Sequence, residues 1–258
     1  MSLISMQLSQ HASYKLILVA NRDEQYDRPS LPAHFWPEHP ELLAGKDLRD
    51  HGTWLGITKQ GRIAAVTNSY LTTDQESDKK LSRGNLVMDY LTGSMGPGDY
   101  LDRIRQQRSD YNGFNLIVGS SASLHHYNNI LDETSIIQKG NHAVSNATLD
   151  TPWPKVSRTK AAMVALTSSA TLDEEALFHI MADRTPAPDD QLPDLPLPLP
   201  IQRAVSANFI ETERYGTRST TLILINHADQ VKFVERSYLP DGTSNDARFN
   251  FQFTAEEK

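Results

Sequence analysis

The chain contains no cysteine. Disulfides, thiolate zinc sites and cysteine nucleophiles are therefore excluded. No apolar run approaches the roughly 20 residues that a membrane-spanning helix needs, which predicts no membrane span. GxGxxG, Walker, GxSxG and HExxH patterns are all missing, and no internal repeat is found. Basic residues (25) are outnumbered by acidic ones (32), for a net charge of −7 and a pI of 5.7. That balance argues against non-specific nucleic-acid binding and against a basic membrane-surface patch, since both need clustered Lys and Arg. The opening MSLISMQLSQ lacks the basic start and long apolar stretch of a secretory signal, which predicts a cytoplasmic location. His125 and His126 are adjacent, so on a strand they face opposite ways and do not chelate as a pair. Neither a metal nor a cofactor is expected.

What is present is an ordinary globular composition, 38% hydrophobic and 22% charged over 258 residues. That is enough for one large domain or two small ones; a single domain over 1–258 is expected, with a Pro-rich excursion at 185–200. The stretch LILVANRDEQYDRPS (16–30) stands out. Residues 16–20 read as a buried strand that stops at Asn21, Arg22, Asp23 and Glu24, and residues 3–8 pair with it as a hairpin. A chain end pinned into a core strand is unusual, because ends normally fray.

Four prolines make 27–40 read as an irregular loop, within which Phe35 and Trp36 are expected to be covered by the body of the protein, the alternative being that they wall a pocket. Residues 51–57 and 62–68 form a hairpin, and 72–80 a polar loop. Helices are expected at 83–91, capped by Ser82 and stopped by Gly93, and at 99–107, 155–166 and 171–182, the last with a Thr171–Glu174 capping box. His179 on that helix reads as packed or solvated. Further strands are expected at 113–119, 124–128, 135–138, 141–147, 204–210, 220–226, 231–237 and 249–253, with 216–219 as a turn. Proline at every second or third position of 185–200 precludes helix and ladder alike. The total is about ten to twelve strands and four helices. Several strands are apolar on both faces, which fits stacked sheets with helices outside.

The remaining chemistry lies at strand ends: Asn21, Arg22, Asp23, Thr67, Asn68, Asn115, Ser145, Asn146, Thr217 and Arg218. Arg22 and Asp23 could be a structural ion pair. Taken together, the set suits acyl transfer, which needs a nucleophile, a base and donors for an oxyanion. Asp23 could hold an ammonium and Asn68 or Asn146 could donate to the oxyanion. Arg22 and Arg218 could bind a carboxylate or tune a nucleophile. The missing nucleophile would sit sensibly at the chain start. A serine there uses its own α-amine, of pKa about 7.7–8.0, as base, and Ser2 becomes that residue once Met1 is removed.

Many blocks in the same order resemble the NRDE family, also called the transport and Golgi organisation protein 2 family. They are ANRDE (20–24), DRPS (27–30), AGKDLRDHGTWLGI (44–57), VTN (66–68), SRGNLVMDYL (82–91), GFNLIVG (113–119), SNATLDTPWPKV (145–156) and YGTRSTT (215–221). The resemblance implies an α+β fold of the N-terminal-nucleophile hydrolase type, a four-layer αββα sandwich of two antiparallel sheets. It also implies a site matching related choloylglycine and penicillin V amidases, with Arg22, Asp23, Asn146 and Arg218 in catalytic positions. Asn21, Asn68, Trp54 and Thr217 are expected to bind substrate. The expected activity is hydrolysis of the C–N bond of a small acylated metabolite. The alternative is a non-catalytic binding or trafficking protein for a lipid-like or haem ligand in the same pocket. A third reading is an interaction protein that works through 185–200.

Two residues depart from the family. Ser2 stands where members typically have cysteine, so it is a serine nucleophile, a natural loss of activity, or part of an added leader. His51 stands where the family usually has glycine.

Overall fold

Alternating apolar positions in long β-branched strands build most of this molecule. The computed structural model describes residues 2–71 and 80–254. The polar loop expected at 72–80 lies, but for Lys80, outside the described residues. The described residues form thirteen strands and five α-helices.

One sheet has six antiparallel strands, in the order β10 (Gly140–Val144), β1 (Ser2–Leu8), β2 (Tyr14–Gln25), β11 (Tyr215–Asn226), β12 (Gln230–Tyr238) and β13 (Ser244–Gln252). The other is a seven-stranded meander of β3 (Ser30–Trp36), β4 (His39–Asp47), β5 (Leu55–Thr58), β6 (Ile63–Asn68), β7 (Phe114–Ser120), β8 (Ser123–Asn128) and β9 (Glu133–Ile137). Between the sheets lies a core that includes Met6, Leu18, Ile57, Ile117, Ile223 and Phe233, all essentially buried. Helices α1 (Arg83–Thr92) and α2 (Pro97–Gln106) cover the meander through Leu86, Tyr90, Leu101 and Ile104. Helices α3 (Pro154–Thr167) and α4 (Glu174–Met181) cover the six-stranded sheet through Val156, Met163, Leu177 and Phe178. A short fifth helix, α5, runs over Leu199–Val205. The architecture is the expected αββα sandwich, an α+β fold. No helix of the described residues is long and apolar enough to cross a membrane.

Several local expectations are corrected. The strand expected to stop at residue 20 continues to Gln25: Ser2 and Ser219 flank Arg22 on its two sides, and β11 alone carries the pairing on through Asp23, Glu24 and Gln25. The irregular loop expected over 27–40 is instead β3 and the start of β4. As the sheet edge, β3 tolerates Pro32, and its register slips between Leu31 and His34. Trp36 is buried, as expected of an aromatic covered by the body, and Phe35 packs edge-on against Phe249 and Phe251.

The turn expected at 216–219 lies within β11, with Arg218 as the extra residue of a bulge. Residues 204–210 do not form the expected strand. Ala204 and Val205 close α5, and the following N–H groups find non-ladder partners: Phe209 donates to the Asp183 carbonyl and Ile210 to Thr217 Oγ1. The Pro-rich segment is anchored through buried Leu195, beside Val205 and Ile210. Its last two residues open α5, where a first-turn proline costs little.

The Thr171–Glu174 capping box is not formed. Asp173 caps α4 instead, accepting from the Ala176 N–H at 3.2 Å. Ser82 stands at the N-cap of α1 without a side-chain bond. His51 takes a φ of 61°, the left-handed region where a glycine is least strained.

Phe233 lies at the centre of the inter-sheet core, fully buried and 6.3 Å edge-on from Phe249. Phe233→Ala should lower unfolding free energy by about 3–5 kcal/mol, read as a reduced midpoint with an unchanged slope in a urea titration. A loss below about 1 kcal/mol would mean that the two sheets are not packed through this residue.

Candidate functional site

Register decides which side chains meet. Ser2, Arg22, Ser219, Ser237 and Asn245 are Cα partners in one row across β1, β2, β11, β12 and β13. The next row inward on the same face is Ile4, Ala20, Thr221, Glu235 and Ala247. Beyond it the face is apolar and joins the inter-sheet core. The space between the sheets therefore ends in two partly polar rows. Asn21 and Asp23 alternate with Arg22 and face the helical layer on the other side of the sheet.

On the inner face, Arg22 is buried. Its guanidinium lies 4.1 Å above the centroid of the half-buried Trp54 ring. Its one hydrogen bond among the described residues is long, from Nη1 to Ser30 Oγ at 3.4 Å. Burial lowers its pKa, while Glu24 and Asp47 act to raise it. Glu235 is also buried. It accepts from the Ala33 N–H at 2.7 Å and from Thr221 Oγ1 at 3.3 Å. Burial pushes its pKa up to about 7, against those two hydrogen bonds and the charge of Arg22. Arg218 reaches from the bulge to the carbonyls of Gln25, Tyr26 and Arg28 at 2.8, 3.1 and 3.2 Å. It thereby ties β11 to the chain leaving β2.

On the outer face, Asp23 accepts from Thr217 Oγ1 at 2.6 Å, and its carbonyl accepts from the Tyr215 hydroxyl at 2.7 Å. Burial raises the Asp23 pKa; the positive amino terminus, Lys155 and the Thr217 bond oppose that rise. Lys155 is fully buried on α3, and Nζ donates to the Val205 carbonyl at 3.0 Å. Burial lowers its pKa to about 8. Asn21 donates to the carbonyls of Met181 and Asn208 at 2.9 and 2.8 Å and accepts from Thr220. Those bonds hold α4 on the sheet and aim the side chain away from the inter-sheet space.

The segment after β10 lies against the chain start. Ser145 Oγ is 2.8 Å from the Ser2 carbonyl and 3.1 Å from Asn146 Oδ1, so its one proton serves either acceptor. Asn146 is completely buried and Nδ2 donates to the Asn68 carbonyl at 2.9 Å, leaving its second N–H for another acceptor. Asn68 donates to the Tyr70 hydroxyl. A buried network fixes this segment to the meander. Thr67 Oγ1 donates to the Ser145 carbonyl at 2.7 Å, and Asn115 Nδ2 donates to the Ala147 carbonyl at 2.6 Å. His126 and Asn128 meet Asn115 Oδ1 at 3.0 and 2.8 Å. Burial lowers the His126 pKa to about 4.

The structure thus sets Ser2 and Arg22 side by side at one end of the inter-sheet space, with Trp54 and Arg218 lining the cavity next to Arg22; Asn146 meets the Asn68 backbone next to Ser145, and the Asn68 side chain turns to Tyr70 instead. Asn21, Asp23 and Thr217 lie on the opposite face. Glu235, Ser219 and Lys155 were missed. Val231, Phe233 and Glu235 alternate toward one face, so a strict two-residue period would have placed Glu235 inward. No sequence signal separates Lys155 from a solvated first-turn lysine. His179 is exposed, as its solvated reading expects. Among the described residues no cluster of three or more His, Asp or Glu is placed to hold a metal.

The family described as Transport and Golgi organisation 2 matches residues 1–240. The Transport and Golgi organization 2 homolog of Mus musculus is 35% identical over 261 residues, 95% of this chain and 94% of its own length. The Homo sapiens homolog is 33% identical with the same coverage. Among solved structures, a mutant conjugated bile acid hydrolase from Clostridium perfringens aligns with a TM-score of 0.53 at 8% identity. That alignment covers 98% of this chain and 97% of that chain. A second variant of that hydrolase gives 0.52 over 100% and 99%. At such low identity the likeness is one of fold, the N-terminal-nucleophile hydrolase sandwich.

Two buried groups should give stability opposite pH slopes. Glu235 binds its proton more tightly folded than unfolded, so its contribution is lost as pH rises from about 4.5 to about 7. His126 binds its proton less tightly folded, so its contribution is lost as pH falls from about 6.5 to about 4. Glu235→Gln should gain on the wild type by up to about 3 kcal/mol between pH 5 and pH 8, read by urea unfolding at both. Parallel curves for the two proteins would refute the Glu235 assignment.

Proposed function

The chain belongs to the transport and Golgi organisation 2 family, and on that premise we propose that it is an N-terminal-nucleophile amidohydrolase. Its substrate is a small acylated metabolite, cleaved at the C–N amide bond. The observation that carries the reading is the position of Ser2, in the interior of the sheet opposite Arg22 and against Ser145–Asn146. With Met1 removed, Ser2 Oγ attacks the amide carbon and its proton passes to the α-amine of the same residue. The spare N–H of Asn146 donates to the oxyanion. The C–N bond then breaks as the α-ammonium returns the proton to the leaving amine, and water hydrolyses the acyl ester by the reverse sequence. Asp23 holds the ammonium between steps, and Arg22 and Arg218 orient the substrate.

One observation favours a second reading, a protein that binds and carries such a ligand without cleaving it. Arg22 and Asp23 face opposite sides of the sheet, so a ligand between the sheets meets the arginine alone.

Mass spectrometry of the amino terminus, followed by turnover of an N-acyl amide panel, separates the two. Ser2→Cys should be faster than the wild type by about tenfold or more, because a thiolate is the stronger nucleophile near neutral pH. Ser2→Ala should be inactive. A Ser2→Cys protein with a free residue-2 amine and no turnover would end the hydrolase reading. A co-purifying ligand whose affinity ignores Ser2 would support the carrier.

A further inference from the structure

The amide chemistry above gives Arg22 only a general orienting role, and its surroundings on the inner face are more specific than that. Arg22 is 6% exposed, makes one 3.4 Å hydrogen bond, and has no carboxylate within ion-pair distance among the described residues. A guanidinium carries five N–H donors, and an unpaired buried charge is expensive. Two more donors nearby have no partner among the described residues: the buried indole Nε1 of Trp54 and the Oγ of Ser219, whose residue is 5% exposed. All three side chains line one cavity of about 280 Å³, with Glu235 in its wall and Arg218 also lining it. A cluster of donors around an arginine fork, stacked on an aromatic face, is the arrangement that recognises a planar anion.

We propose that this cavity binds a carboxylate carried by the ligand, with Arg22 as its counter-ion and Ser219 and Trp54 as further donors. This deepens the amidohydrolase reading by naming what its substrate carries, an N-acyl amino acid or similar acid whose amide lies toward Ser2. Charge balance favours a monoanion. Arg22 and Arg218 supply two positive charges to the cavity. Asp246 also lines it, but is neutralised by Arg236 at 2.8 Å and Arg248 at 2.7 Å. Glu235 adds a negative charge whenever it ionises, which penalises a doubly charged phosphate more than a carboxylate. The apolar share of the wall, with Leu31, Pro32 and Leu239, suits the carbon skeleton attached to the acid.

The test is equilibrium binding, read on Ser2→Ala protein so that the N-acyl amino acid used as probe is not consumed. The chain has three tryptophans, so its indole N–H resonances form a small set, and Trp54→Phe assigns the one that matters. Hippurate should shift the Trp54 resonance saturably. Its neutral isostere hippuramide should need at least about tenfold more, and inorganic phosphate should bind more weakly than hippurate. Arg22→Gln should weaken hippurate by about tenfold or more, and Ser219→Val by severalfold, which guards against misfolding of the arginine variant. Glu235→Gln should tighten binding severalfold at pH 8 by removing the opposing charge. Equal responses to hippurate and hippuramide, tighter binding of phosphate, or no loss with Ser219→Val and Arg22→Gln would overturn the carboxylate site. Binding without turnover by Ser2→Cys would sink the hydrolase reading and leave this one standing, and turnover without selectivity for the acid would do the reverse.

Discussion

The antiparallel ladder linking β1, β2 and β11 is the constraint on which the rest depends. Its register sets Ser2 and Ser219 on either side of Arg22. A slip of one residue in any of these strands would exchange the two faces. Ile4, Leu18 and Ile223 would then turn to the helices, and Leu3, Val19 and Leu222 into the inter-sheet core. The apolar pattern penalises that exchange heavily, so the hydrophobic effect that builds the sandwich also positions the polar row at its end. The bulge at Arg218 breaks the count at the polar end of this ladder. It lets Thr217 face Asp23 on one side while Ser219 faces Arg22 on the other, and it frees Arg218 to hold three carbonyls of the chain leaving β2.

The second requirement is that the two sheets agree on where that row ends. They are joined there by the buried network of Thr67, Asn115, His126 and Asn128 on the meander and the 145–147 backbone beside β1. Such a network is high-stakes, because each buried polar group must find a partner or cost about 1–3 kcal/mol. The protein satisfies these carbonyls with side chains from the opposite sheet. The segment that carries Asn146 is therefore fixed relative to both layers, and its remaining N–H is held in a set direction. Neutral His126 is consistent with this, since a charged imidazole would have to be desolvated in the same place.

Much of the sandwich was legible because its strands follow the two-residue and two-faced apolar patterns, and the helices that cover it have amphipathic faces. The failures have common causes. Residues 27–40 read as a loop because proline opposes ladders, yet an edge strand has one side with no ladder to disrupt. The strand at 16–25 is legible only to residue 20 because charged residues imply solvent, whereas β1 pairs with it as far as Arg22 and β11 as far as Gln25. Residues 204–210 were apolar enough to suggest a strand, but their N–H groups are taken by Thr217 and by the chain near α4. At the site, types and neighbours were readable and sides were not. Arg22 and Asp23, adjacent in sequence, are separated by the full thickness of a sheet, as alternation requires. Glu235 was hidden by its polarity even though Val231 and Phe233 share its face.

Gly45 shows how a small residue serves this arrangement. A glycine inside a strand weakens it by roughly 0.5–1 kcal/mol relative to alanine. At this position even one added carbon would lie 2.3 Å from Cζ2 and Cη2 of Trp54. The missing side chain on β4 leaves room for the edge of the indole, and the face of that ring is the surface over which the Arg22 guanidinium sits. The same strand is already paired on both sides by β3 and β5, so it can bear the loss of local preference. Ring, guanidinium and glycine thus form one stack from the meander to the six-stranded sheet. Conformational cost in one layer becomes orientation of a charge belonging to the other.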